Sequence, residues 1–173
     1  MGRTIIMSAP REVPRPRNYY TEPSFIDVNG LQTAYRRNGE GESVLFLHGA
    51  GSTRMWLPMY ERFSASVDFI APEHPGFGAT ERPAWLQNFD DLVIHYDQFL
   101  SELGIDRFHM VGWSLGGWIA SEFAAYYPRR LKSLTLITPI GLRLPDNPGV
   151  DLFKLMPEEL VDLLFNDKEA LSA

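Results

Sequence analysis

Gly112-Trp113-Ser114-Leu115-Gly116-Gly117 is the stretch on which the reading of this chain turns. It follows the apolar run Phe108 to Val111 and opens Trp118 to Tyr127, a stretch of helical character. Ser114 therefore falls at a strand-to-helix turn, the setting in which a G-x-S-x-G match carries chemical meaning. Gly112 and Gly116 have no Cβ, which permits tight packing beside a nucleophile held in a strained backbone. A serine hydroxyl is a weak nucleophile at neutral pH unless a base takes its proton and nearby donors receive the oxyanion that develops.

Upstream, Val44-Leu45-Phe46-Leu47 is apolar without alternation, as expected of a strand buried on both faces of a parallel sheet, and it ends in His48-Gly49-Ala50-Gly51. Ser52 is the expected cap of a helix from about Met55 to Phe63, with Trp56, Met59, Tyr60 and Phe63 on one stripe. Val67 to Ala71 reads as the next strand and runs into the turn-rich loop Pro72 to Thr80, which contains Pro75-Gly76-Phe77-Gly78. From Asn88, the residues Phe89, Leu92, Val93, Tyr96, Phe99, Leu100 and Leu103 recur at helical spacing, with Gly104 as the stop. Downstream of Ser114, a helix ending near Pro128 is followed by the strand Leu134 to Ile137. This alternation from residue 43 to 138 predicts an α/β fold: parallel strands with helices on both faces. In front of it, Phe25 to Val28 and Leu31 to Arg36 flank Asn29-Gly30, which supplies the positive φ values of a tight hairpin turn.

The chain has 173 residues, 45% of them hydrophobic and 22% charged, enough for one domain with a sizeable core. A formal net charge of -6 gives no general attraction for nucleic acid. The absence of cysteine excludes disulfides, thiolate metal sites and a cysteine nucleophile. No apolar run approaches the ~20 residues that span a bilayer, and the N-terminus lacks the apolar core of a secretory signal, so cytoplasmic residence is expected. Residues 1–23, with four prolines and four arginines, are expected to form an extended, poorly ordered arm ahead of a core at 24–138. Beyond it, residues 139–173 break the pattern with Pro139, Pro145 and Pro148 before an acidic helix that starts at Pro157 and carries Leu160, Leu163 and Leu164 on one face.

Residues 24 to about 140 resemble the α/β-hydrolase superfamily. The resemblance rests on His48-Gly49 after the third strand, Pro75-Gly76-Phe77-Gly78 after the fourth and the serine turn after the fifth, in that order. It implies that Ser114 is the nucleophile and that the backbone amides of Ala50 and Leu115 form the oxyanion hole. It implies a small-molecule ester or related acyl substrate and no cofactor. A serine here argues against relatives that dehalogenate or open epoxides, which carry aspartate at that place. The hexapeptide is similar to that of carboxylesterases, including pimeloyl methyl-ester esterases, and to that of hydrolases that cleave carbon-carbon bonds.

The same resemblance sets the order Ser, then Asp or Glu, then His. The chain has no histidine after His109, and Asp146 and Asp151 stand in Pro-rich spacing, so neither is assigned as the acid. The expectation is a chain cut within a cap or lid segment beginning near Pro139, before the final strands, and of very low activity by itself. His48 is read as shaping the loop before the oxyanion hole, and His74, His95 and His109 as packing, capping or solvent-facing residues. Glu73 stands where the resemblance favours aspartate. No metal-ligand spacing and no phosphate loop occurs. The alternative is a non-catalytic binding module, or a fragment that associates through its last strand edge and the apolar face near Leu160.

Overall fold

The computed structural model describes residues 19–141, 145–146, 149–151 and 154–164. The expected arm lies mostly outside these residues. Its last part, Tyr19 to Pro23, is tied down rather than loose: Tyr20 bridges Met55, and the Trp56 amide donates to the Tyr19 carbonyl at 2.7 Å.

The hairpin is present as β1 (Ser24–Val28) and β2 (Leu31–Asn38), with Val28 opposite Leu31. Asn29 and Gly30 turn the chain at φ 51° and 84°, and Asp27 Oδ1 accepts the Gly30 amide at 2.8 Å. The alternating units follow as β3 (Ser43–Leu47), α1 (Pro58–Ser64), β4 (Asp68–Pro72), α2 (Phe89–Glu102), β5 (Phe108–Trp113), α3 (Leu115–Tyr126) and β6 (Leu131–Ile137). The sheet order is β1-β2-β4-β3-β5-β6; β4, β3, β5 and β6 run parallel, while β2 joins β4 antiparallel. From β3 the chain moves to one side to form β4, then crosses to the other side for β5. The C-terminal ends of β3 and β5 are thus neighbours at a reversal of strand order, where open α/β sheets place their sites.

Two of the local readings need correction. Helix α1 begins at Pro58 and not near Met55, and its N-cap is Leu57 with no side-chain cap. The Ser52 hydroxyl instead donates to the Gly49 carbonyl at 3.4 Å, and the fixed φ of Pro58 is what starts the helix. Strand β6 begins at Leu131, three residues before the apolar stretch. There Lys132 pairs with Glu42 at 3.0 Å, which anchors a polar start to the strand.

The lack of alternation in β3 has the expected cause. Leu45 and Leu47 join Ile70, Phe108 and Met110 in a core completed by Leu92, Val93, Tyr96, Phe99 and Leu100 of α2 and Ile119, Ala120 and Phe123 of α3. Val44 and Phe46 belong to a second core with Phe69, Ala71 and Tyr60 of α1. Successive strand residues point to opposite faces, and both faces of these strands are covered. Helix α2 is locked at its start by a reciprocal cap between Asn88 and Asp91. At the far edge, β6 is largely exposed, including Leu134, Leu136 and Ile137.

The chain divides into two compact units, Met1–Ile140 and Gly141–Ala173. In the second, α4 (Pro157–Leu164) has the predicted acidic first turn, and Glu159 accepts the Met156 amide at 2.8 Å. Its Leu163 and Leu164 are exposed.

One buried ion pair ties hairpin, arm and loop together. Arg36 of β2 donates to Glu73 at 2.7 Å, with side chains 5% and 2% exposed, and its other nitrogens donate to the Thr21 carbonyl and hydroxyl. Glu73 also accepts the Ala79 amide, and a Cβ on Gly78 would overlap its carboxylate. Arg36→Ala leaves that carboxylate buried and unpaired, and should lower the unfolding free energy by about 3–5 kcal/mol in urea titrations at neutral pH.

Candidate active site

The turn between β5 and α3 holds Ser114 at φ 52° and ψ -111°, a conformation that costs a non-glycine residue of order 1–3 kcal/mol. Four main-chain hydrogen bonds hold it there. The Ser114 amide donates to Ile137 O at 3.0 Å, and the Ser114 carbonyl accepts Gly117 N at 3.0 Å, Trp118 N at 3.2 Å and Ile140 N at 3.2 Å. Close packing completes the cradle. A Cβ on Gly112 would stand 2.7 Å from the Ala120 Cβ, one on Gly117 2.8 Å from the Pro139 Cβ, and one on Gly116 would overlap the Leu47 carbonyl. Trp113 packs against the α1-side core, which accounts for its place beside the turn.

Register brings the second loop to the serine. Leu47 pairs with Gly112, so His48 and Gly49 continue β3 alongside the turn, and a Cβ on Gly49 would lie 3.3 Å from the Ser114 Cβ. The two loops are joined directly, because the Gly116 amide donates to the His48 carbonyl at 3.1 Å. Leu115, half-buried, follows Ser114 and Ala50, exposed, follows Gly49, so the two stand on the two loops that meet at the serine; among the described residues neither amide donates to a protein acceptor.

All four histidines of the chain are described, and none hydrogen-bonds to Ser114. His48 and His74 are buried with rings stacked 3.9 Å apart. The His74 amide donates to His48 Nε2 at 3.2 Å, so His48 carries its proton on Nδ1 and donates it to Gly49 O at 2.7 Å. His74 Nε2 donates to the His48 carbonyl at 2.8 Å, leaving Nδ1 to accept from the Tyr96 hydroxyl. Every ring nitrogen of the pair is committed. His95 is buried on α2 near Thr33, and His109 lies on the α1 side of β5 between Ser133 at 2.7 Å and Glu42 at 2.6 Å. Tyr96 reads in the sequence as one more apolar position of α2; the signal for its role is that a buried tyrosine hydroxyl needs a partner.

Burial keeps these imidazoles neutral: it lowers His48, pushes His74 well below the ordinary histidine range with help from His48, and brings His95 down to about 4. It also raises the Tyr96 phenol well above its usual value. As pH falls, the unfolded chain therefore takes up protons at these histidines that the folded chain refuses. Their contribution to stability is full above about pH 6.5 and is lost as pH falls from there toward 4. Between pH 7.5 and 5, urea unfolding should show a loss of about 2 kcal/mol from His95 alone, and His95→Gln should remove that share of the slope.

Comparison with known proteins follows this geometry. Residues 42–169 match the family model described as alpha/beta hydrolase fold. The chain is 36% identical over 126 residues to a monoacylglycerol lipase of Xenopus laevis, covering 70% of this chain and 37% of that protein. It is 34% identical over 155 residues to 2-hydroxy-6-oxo-6-phenylhexa-2,4-dienoate hydrolase of Comamonas testosteroni, covering 80% of this chain and 49% of that protein. A solved meta-cleavage product hydrolase from Pseudomonas fluorescens IP01 superposes with a TM-score of 0.73 at 28% identity, covering 86% of this chain and 59% of that one. The chain spans less than half the length of the curated relatives it matches. By the family match, and by the sheet order that places the serine turn beside the His48 loop, the chain belongs to the alpha/beta hydrolase fold family.

Proposed function

We propose that Ser114 is the nucleophile of a serine hydrolase that acts on a small ester or a related acyl bond, with the amides of Ala50 and Leu115 receiving the oxyanion. The observation that carries this is the backbone of Ser114: a non-glycine residue at φ 52°, fixed by four hydrogen bonds and surrounded by Gly112, Gly116 and Gly117, where a Cβ would overlap a neighbour. Strain maintained by that many constraints points to function. The reaction would run by attack of Ser114 Oγ on the acyl carbon, expulsion of the alcohol with a proton, and attack of water on the acyl-serine to release the acid and regenerate the hydroxyl. The relatives are named for monoacylglycerol and for 2-hydroxy-6-oxo-6-phenylhexa-2,4-dienoate, both of which offer a carbonyl carbon to a nucleophile.

The four histidines are committed elsewhere or lie away from the turn, so no imidazole of this chain is poised to take the Ser114 proton. Incubation with a fluorophosphonate should place the phosphonyl group on the Ser114 peptide, read by mass spectrometry, and Ser114→Ala should abolish it. The rate should climb steadily from pH 6 to 9 without a plateau near the histidine range, because no histidine supplies the base. Modification confined to other residues would refute the assignment. A plateau with a midpoint between pH 6 and 7 would show that one of the four histidines reaches the serine after all.

A further inference from the structure

The two amides assigned to the oxyanion belong to different loops, and the hydrogen bond that joins those loops ends on the His48 carbonyl. The His48 carbonyl accepts Gly116 N, one residue beyond Leu115, and His48 is followed by Gly49 and Ala50. The orientation of that carbonyl therefore sets the distance between the two donors. A second N–H, His74 Nε2 at 2.8 Å, fixes it from the other side. The His48 ring holds the next carbonyl, Gly49 O, at 2.7 Å, and Gly49 O also accepts Ser52 N at 3.3 Å, which sets the path of the loop through Ala50.

His74 can donate from Nε2 only if its other nitrogen is an acceptor. The His48 carbonyl only accepts, so it fixes the His74 proton on Nε2; the Tyr96 hydroxyl, fully buried in the middle of α2, donates to Nδ1 and holds the ring in that place. Removing that hydroxyl leaves Nδ1 buried without a donor, and the ring is no longer pinned against the carbonyl. We propose that His74 and Tyr96 are positioning residues for the oxyanion pair, acting through the His48 carbonyl: Tyr96 holds the His74 ring, and His74 aims the carbonyl that joins the Ala50 loop to the Ser114 turn. This rests on the assignment of the Ala50 and Leu115 amides made above. It gives α2, which contributes no atom to the site, control over its geometry.

The test is made by NMR on the 15N-labelled chain and needs no turnover. At pH 7 the imidazole nitrogens of His74 should report a proton on Nε2 alone, and in Tyr96→Phe the Nδ1 resonance should move as it loses its donor while the proton stays on Nε2. Tyr96→Phe should also move the Ala50, Leu115 and Gly116 amide resonances and speed hydrogen exchange at Gly116 by about tenfold relative to the rest of α3. His74→Ala should do the same. His74→Gln, whose side-chain amide can place an N–H near the position of Nε2, should bring the Ala50 and Leu115 resonances back toward their original positions. The proposal is overturned if, in folded Tyr96→Phe, the changes stop at His74 and α2 while Ala50 and Leu115 stay in place. If Tyr96→Phe does not fold, the His74→Ala and His74→Gln pair decides, and equal effects of the two overturn it. Failure of Ser114 to react with a fluorophosphonate would strike the nucleophile assignment and leave this linkage standing; a reactive Ser114 with unmoved resonances would strike the linkage alone.

Discussion

Where α3 leaves β5, three pieces of main chain meet with no room for a side chain between them. Gly112 faces Ala120, Gly116 lies on the Leu47 carbonyl, and Gly117 packs on Pro139. This contact sets how close β3, β5 and the first turn of α3 can come. The hydrogen bond from Gly116 to His48 exists only because that approach is allowed. A methyl group at any of the three positions would push the elements apart, and overpacking of this kind typically costs about 1–3 kcal/mol. The relation of Ser114 to the His48 loop follows from this steric limit, and the Gly116 to His48 hydrogen bond fixes it within that limit.

Around this contact the interior is unusually polar for a sheet core. Arg36, Glu73, His48, His74, Tyr96 and His95 are all buried, and no buried side-chain nitrogen or oxygen is left without a partner among the described residues. Such an interior is stable only when complete, because each unmatched group costs far more than a matched one contributes. The histidines meet this condition by staying neutral. A charged imidazole could accept nothing, whereas a neutral one both donates and accepts, and His48 and His74 each do both. The loops after β3 and β4 therefore form one body with α2 through hydrogen bonds, where an apolar packing would have left their relative position less defined.

Much of this was legible in the residues, and the rest was hidden for definite reasons. Asn29-Gly30, the unbroken run Val44 to Leu47, the spacing from Phe89 to Leu103 and the glycines around Ser114 each express a local rule, and each appears as read. The helix expected from Met55 starts instead at Pro58; Ser52 offered a plausible cap, and the stripe that began at Trp56 ran across the true start. The first residues of β6 were missed because Lys132 and Ser133 carry no strand pattern; their partners, Glu42 and His109, are far away in sequence. Tyr96 and His74 are separated by a loop and half a helix, and periodicity reports which face a residue occupies, not what its hydroxyl meets. Strand order, and with it the adjacency of the His48 and Ser114 loops, lies beyond any single-segment rule.

The backbone of Ser114 has a consequence for the history of the chain. At φ 52° and ψ -111° the fold itself prefers glycine, which would relieve the strain and leave every hydrogen bond of the turn in place. Mutational drift acting on stability alone would favour glycine over the serine here. A descendant that had ceased to use this hydroxyl would be expected to carry Gly at this position. On the proposed reading, the serine that remains is a cost to folding that its chemistry offsets.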